Sequence, residues 1–208
     1  MKRFALTLLL LTSAAALQAA TITYHVSVDS SGIGSSTPGY IDFQFNQANA
    51  STSLAASATV DNFISSGFIF VDSGNLYLGG ATGSLSAPPL IFDNTVAGNN
   101  VFDQSVDAFG TAFSFDVTFA GDALNTTAPD GSGFFVSLLG TDFSPLVLGD
   151  GLVASIVING DTTITTNPTD LSTIEASTVP EPSSLLMIFA GVALVAFARR
   201  SNGADRRK

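Results

Sequence analysis

The chain has 208 residues, with seven Lys and Arg against seventeen Asp and Glu, one His, and neither Cys nor Trp. All the basic residues lie at the two ends, so Thr21 to Pro180 holds 17 − 2 = 15 carboxylates (all but Glu181 and Asp205) and no Lys or Arg. That excludes a nucleic-acid-binding face, which needs clustered cations, and with no Cys it excludes thiol nucleophiles, disulfides and thiolate metal sites.

The first twenty residues predict a cleaved signal peptide. Lys2 and Arg3 form a basic start, Phe4 to Leu11 is apolar, and small residues lead to Ala19 and Ala20. The apolar part is too short to span a bilayer, which favours removal. Ala16, Ala19 and Ala20 are all small enough to precede the cut.

From Thr21 to Thr166 the hydrophobic pattern repeats every two residues, which predicts strands. Ile22, Tyr24, Val26 and Val28 share one face, with Thr23, His25 and Ser27 on the other. Ile41, Phe43 and Phe45 repeat the pattern. Thr59–Ile64, Phe68–Val71, Leu76–Leu78 and Leu90–Phe92 follow, and then Phe113, Phe115, Val117 and Phe119 in the clearest alternation of the chain. Phe134–Leu139 and Val153–Ile158 close the series. Ala48 to Ala58 is rich in Ser and Thr and reads as a loop or strand approach. Turn residues separate the strands, as at Asp72-Ser73-Gly74-Asn75, Gly98-Asn99-Asn100 and Asn159-Gly160-Asp161. Eight to ten short strands without an amphipathic helix predict an all-β, antiparallel β-sandwich, jelly-roll-like or Ig-like. The seventeen Phe are expected to supply its core. Side-chain salt bridges are expected to be unavailable to it.

The pattern stops from Asn167 to Thr178. Pro168, Thr169, Asp170, Ser172 and Thr173 make this stretch polar, and it reads as a flexible spacer.

The tail, Val179 to Lys208, has three parts in order. Val179-Pro180-Glu181-Pro182 comes first, and its prolines hold Glu181 in an extended, accessible segment. Ser183 to Ala198 is apolar beyond its two serines and predicts one transmembrane helix. Its sixteen residues would reach ~24 Å against a hydrocarbon core of ~30 Å, so Arg199 and Arg200 must snorkel or the bilayer thin. Arg199 to Lys208 is basic and should stay cytoplasmic, with Arg199 and Arg200 as the membrane stop.

This tail closely resembles the PEP-CTERM sorting signal of Gram-negative bacteria, on Val179, Pro180, Glu181, Pro182, the apolar helix with Gly191 inside it, and the Arg pair. The polar stretch Ser201 to Lys208 departs from the usual abrupt basic end. The resemblance implies an exosortase-like membrane protease as partner. It also implies an inner-membrane-anchored precursor, then release or transfer to the cell surface or the exopolysaccharide matrix. The body is similar, more loosely, to β-rich PEP-CTERM proteins of unassigned function, through Tyr40–Asn46 and Phe113–Phe119.

Candidate sites in the body are few. A Ser-His-Asp triad would have to use His25, the only His, and no Gly-x-Ser-x-Gly elbow is present. Paired carboxylates could cleave glycosides, but the fourteen Asp and Glu175 are scattered and only Asp103 and Asp107 lie close in sequence. Asp130 and Asp150, in Gly-rich turns, are the nearest to calcium ligands, without an alternating Asp pattern. Asn49-Ala50-Ser51 and Asn125-Thr126-Thr127 match the glycosylation triplet. Tyr24, Tyr40 and Tyr77 are the stacking groups a polysaccharide-binding module would use. The expectation is a non-catalytic exported protein without a cofactor or metal. A polysaccharide-binding module is the alternative, with a secreted glycosidase behind it.

Overall fold

The computed structural model describes residues 21–34 and 36–177. The expected signal peptide, sorting motif, transmembrane helix and basic tail lie outside the described residues. Eleven strands follow one another: β1 (Thr21–Asp29), β2 (Gly39–Gln47), β3 (Ser57–Phe70), β4 (Leu76–Leu78), β5 (Ala81–Thr82), β6 (Leu90–Asp93), β7 (Val101–Ala120), β8 (Ser132–Gly140), β9 (Leu152–Ile158), β10 (Ile164–Pro168) and β11 (Ser172–Ser177). The only helical pieces among the described residues are the single 3-10 turns Asp72–Gly74 and Asp122–Leu124. All strand pairs are antiparallel, so the all-β antiparallel expectation holds.

One long strand organises the sheet. The first part of β7 pairs with β2 on one side and β4 on the other. Its second part pairs with β1 and β3. β2 continues through β8 and β9 to β10, β3 continues through β6 to β5, and β11 lies outside β1.

The two parts of β7 belong to halves of the sheet that face each other. Phe43 of β2 is the cross-strand partner of Phe102. Phe115 is thirteen residues further along β7, ~40 Å away on a straight strand. Yet the rings of Phe43 and Phe115 are 5.4 Å apart. The sheet therefore folds back on itself. The fold occurs near Gly110, whose φ of +61° is open to glycine and whose absent Cβ would sit 2.1 Å from the Ser66 carbonyl oxygen. Here β3 carries register shifts at Asp61/Ile64, Ser66/Phe68 and Ile69/Phe70, which add local bend and twist.

The core lies between the halves. Phe43, Phe45 and Phe134 on one side meet Phe92, Phe115 and Phe119 on the other, with ring centroids 5.4–6.3 Å apart. Edge-on and tilted contacts dominate, as the ring quadrupole prefers. Phe63, Phe68, Phe70 and Phe113 gather at the fold line. Phe135 and Phe143 are only partly covered, and Phe4, Phe189 and Phe197 lie outside the described residues. The core is thus built from a subset of the seventeen.

Three expectations about elements are revised. Thr59–Ile64 and Phe68–Phe70 are not two strands but parts of β3, with Val71 just beyond its end. The strand around Phe113 starts twelve residues earlier, at Val101, because Asp103 and Gln104 are buried there and break the hydrophobic alternation. The segment after Thr166 is not a spacer. β10 runs to Pro168, and Ser172 to Ser177 form β11, in register with Val28 to Thr23 of β1. Its polar side chains bond the body: Thr169 Oγ1 and Ser172 Oγ both donate to the Val153 carbonyl, at 2.8 and 2.6 Å. Leu171 and Ile174 pack against the core.

With no Lys or Arg between β1 and β11, amides act as clamps. Buried Asn100 accepts from the Gly80 N–H at 2.5 Å and donates to the Phe45 and Ala97 carbonyls, both at 2.9 Å. Buried Asn94 accepts from the Ala56 N–H at 2.8 Å and donates to the Leu54 carbonyl and Ser132 Oγ, both at 3.0 Å. Each ties loops that an ion pair could have held elsewhere.

Candidate functional site

The outer face of β1, β3 and β7 brings together a polar group built around the single His. His25 and Ser27 are two apart on β1 and so point the same way. His25 lies opposite Asp116 of β7. Its Nδ1 is 2.7 Å from Asp116 Oδ1, and its Nε2 is 3.3 Å from Ser27 Oγ. A carboxylate only accepts, so Nδ1 carries a proton, and with the imidazole neutral Nε2 accepts from the Ser27 hydroxyl. Asn62 donates to Asp116 Oδ2 at 2.7 Å. Partial burial pushes the Asp116 carboxyl up, but the bonds from Asn62 and His25 and the nearby imidazole charge outweigh it and leave it below the ordinary range. With the imidazole protonated, His25 and Asp116 are the one candidate ion pair among the described residues, an exception to the expectation that side-chain salt bridges are unavailable. Sequence reading pointed to His25 but not to Asp116, since the partner strand lies 91 residues away, and Ser27 gains a role only once Asp116 fixes the ring beside it.

A second group sits on the outer face of β2 and β7. Asp42 and Asp103 are cross-strand partners, 3% and 8% exposed. Burial raises both carboxyls above the ordinary range. Burial first, then the Asp42 charge and their mutual hydrogen bond, push Asp103 up to about 7. Asp42 Oδ2 accepts from Gln44 Nε2 at 2.7 Å, whereas Oδ1 has no N–H or O–H donor. A proton on Asp103 would let the pair stand as one acid and one carboxylate joined by their side-chain hydrogen bond. Carboxyls joined by one proton are closer than the ~5 Å or more that glycoside cleavage uses. Asp107, by contrast, is exposed and four residues along the strand from Asp103, ~13 Å away.

The remaining candidates are dispersed. Tyr24 meets the core edge-on at Phe119, 6.3 Å away. Tyr40 is half-buried and stacks on Phe143 at 4.7 Å. Tyr77 packs on Phe102 at 4.9 Å and donates to the Gly83 carbonyl at 2.9 Å. The three tyrosines form no row. Asp130 accepts from Thr52 Oγ1 at 2.5 Å, which ties down the loop before β3. Asp150 accepts from the Leu152 N–H at 3.3 Å, an Asx-turn. Among the described residues no three His, Asp or Glu side chains gather as metal ligands. Asn49 and Asn125 are exposed, and both bond their own loops. Glu175 is exposed on β11, opposite His25.

Val179, Pro180, Glu181, Pro182, Arg199 and Arg200 lie outside the described residues. Among the described residues no helix is long and apolar enough to cross a membrane. The body defines an all-β, antiparallel protein whose chain leaves β11 at Ser177 and enters the expected sorting segment directly. Residues 178–201 match the PEP-CTERM protein-sorting motif. The chain therefore carries the signal of an exported, membrane-anchored precursor of Gram-negative bacteria, processed by an exosortase-like membrane enzyme. No curated protein and no solved structure matches the chain.

Proposed function

We propose that the chain is a cell-surface or exopolysaccharide-matrix protein, delivered there by its C-terminal motif, with a structural and not a catalytic body. The single observation that carries the reading is the sorting motif at 178–201. The body is read as a β-sandwich of jelly-roll-like or Ig-like kind, supported by the Phe43–Phe115 contact across the folded sheet. The outer positions of β1 and the second part of β7 are mostly polar, chiefly Ser and Thr, suited to a hydrated matrix. Exopolysaccharide is the proposed neighbour, and the partly exposed Tyr40–Phe143 stack is an aromatic surface that favours direct sugar binding.

In this reading a signal peptide over residues 1–20 is removed, and the helix 183–198 holds the precursor until the motif is read. The prolines keep Glu181 extended, as a protease substrate must be. Glu181 is also the acidic group a basic pocket would grip at the membrane surface. Arg199 and Arg200 fix the depth at which the motif stands. Mature protein lacking Leu185 to Lys208 is expected. Glu181→Ala should leave a full-length, membrane-bound precursor, while Ser183→Ala changes little. Fractionation of both variants in a host with exosortase is the test, and equal release of the two would make the tail a plain anchor.

A further inference from the structure

The group on the outer face of β1, β3 and β7 holds chemistry that sorting does not use. Ser27, His25 and Asp116 stand in the order nucleophile, base and orienting acid, at 3.3 and 2.7 Å. A second feature supports them. Asn62 has φ of +53°, an uncommon backbone for a residue with a side chain. It falls in the register shift between Asp61 and Ile64, and its amide reaches the other Asp116 oxygen at 2.7 Å. Bulges re-aim side chains in this way. A shallow groove of about 540 Å³ opens at Ser27, with Ile64, Ser114, Leu171 and Thr173 among its walls. Ile64 is 68% exposed and offers an apolar surface there.

We propose that Ser27 is an acyl-acceptor site, a nucleophilic serine that takes the acyl group of a small carboxylic ester held in this groove. Ser27 Oγ attacks the carbonyl carbon while its proton passes to His25 Nε2. Collapse of the tetrahedral intermediate breaks the bond to the leaving oxygen, and His25 returns the proton to that oxygen, releasing an alcohol. The acyl group stays on Ser27 as an ester. No redox partner or metal is needed. Asp116 orients the imidazole and balances its transient charge, and Asn62 is a positioning residue behind it.

The backbone around Ser27 is paired on both sides, to β7 and β11, so its N–H groups are committed to the ladders. Ser114 and Thr173, the cross-strand partners of Ser27, offer hydroxyl donors to the tetrahedral oxygen, while Asp29 and Asp170 also line the groove and no cation among the described residues does. Oxyanion donors are worth about 10²–10³ each in rate. Transfer is therefore slow and the acyl group persists, which makes Ser27 a modification site and not a turnover centre. The inference goes beyond the sorting reading and does not depend on it.

The test uses the full chain purified in detergent, p-nitrophenyl acetate as the probe, and peptide mass spectrometry as the readout. Ser27 should be acetylated at least tenfold faster than any other serine. His25→Gln should slow it about 100-fold, the usual contribution of a general base, and Asp116→Asn should slow it as well. Circular dichroism of each variant checks that the sheet is intact. Ser27 labelling at the rate of ordinary exposed serines such as Ser86 would overturn the proposal. So would unchanged labelling in a folded His25→Gln protein, leaving the group as a cross-strand contact that only stabilises the sheet.

Discussion

Asp42 and Asp103 face each other across β2 and β7 as a buried acid pair in a body without Lys or Arg, and a proton held between them would do the work a cation does elsewhere. The pH dependence follows from the direction of the shift. Both carboxyls sit higher in the folded chain than the ordinary ~3.9 of the unfolded one. Their contribution is thus complete below about pH 4 and is lost as pH rises through the folded value, about 7 for Asp103. Exposed Asp29, Asp142 and Asp161 act the other way. Hydrogen bonds from Ser31, Ser144 and Thr163 hold them low, so they favour folding above about pH 4 and lose that as pH falls further. The melting temperature should rise from pH 7.5 to about pH 5 and fall below about pH 4. Asp103→Asn, which mimics the protonated acid, should flatten the upper slope and stabilise the protein at pH 7.5 by roughly 1–3 kcal/mol. A flat wild-type profile between pH 5 and 7.5 would count against the shared proton.

The length of the folded unit is a second expectation. A chain from Thr21 to Ser177 should fold as a β protein. A chain ending at Thr166 loses β11 and uncovers one edge of β1 along with the sites of Leu171 and Ile174. Burial of aliphatic side chains is worth about 1.5–3 kcal/mol each when complete, so the shorter chain should be weaker by several kcal/mol. Urea midpoints of the two chains check this, and equal midpoints would restore the spacer reading.

Asn100 offers a test of the amide clamps. Asn100→Ala removes one acceptor and two donor bonds and strands the Gly80 N–H and the Phe45 and Ala97 carbonyls. Unpaired buried groups cost about 1–3 kcal/mol apiece. A loss of about 3 kcal/mol is expected in chemical denaturation, against a few tenths for Asn125→Ala, whose side chain is exposed.

Gly110 should be nearly irreplaceable. A methyl group there meets the Ser66 carbonyl, and φ of +61° adds strain for any side chain. Gly110→Ala is expected to destabilise by about 2 kcal/mol or more, about 4–8 degrees or more in melting temperature for a domain this size. Gly32→Ala, with open space around it, is the matched control.

How much of this was legible beforehand depends on the range of the physics involved. Strand identity is local: alternation at Phe113, Phe115, Val117 and Phe119 marks an inner face whatever lies opposite. The sorting tail is local too, because a motif, a helix and a basic end must be adjacent to be read together. Composition by itself ruled out ion-pair networks, thiols and a nucleic-acid face. Pairing is not local. Asp103 was set beside Asp107 by sequence, but register puts it beside Asp42, 61 positions away, since side chains meet across strands at ~5 Å and along them only at ~7 Å or more. Likewise β11 shows little hydrophobic signal because its stability comes from backbone pairing with β1 and from hydroxyls bonded to Val153, not from a buried face. Ser27, His25, Asn62 and Asp116 become one group only when three strands align and β3 bulges. The sequence by itself determined the strands with a buried hydrophobic face and the presence of a sorting signal, but not β11. Tertiary register alone decided which polar side chains meet, because a one-residue shift in pairing would have sent each of them to the opposite face.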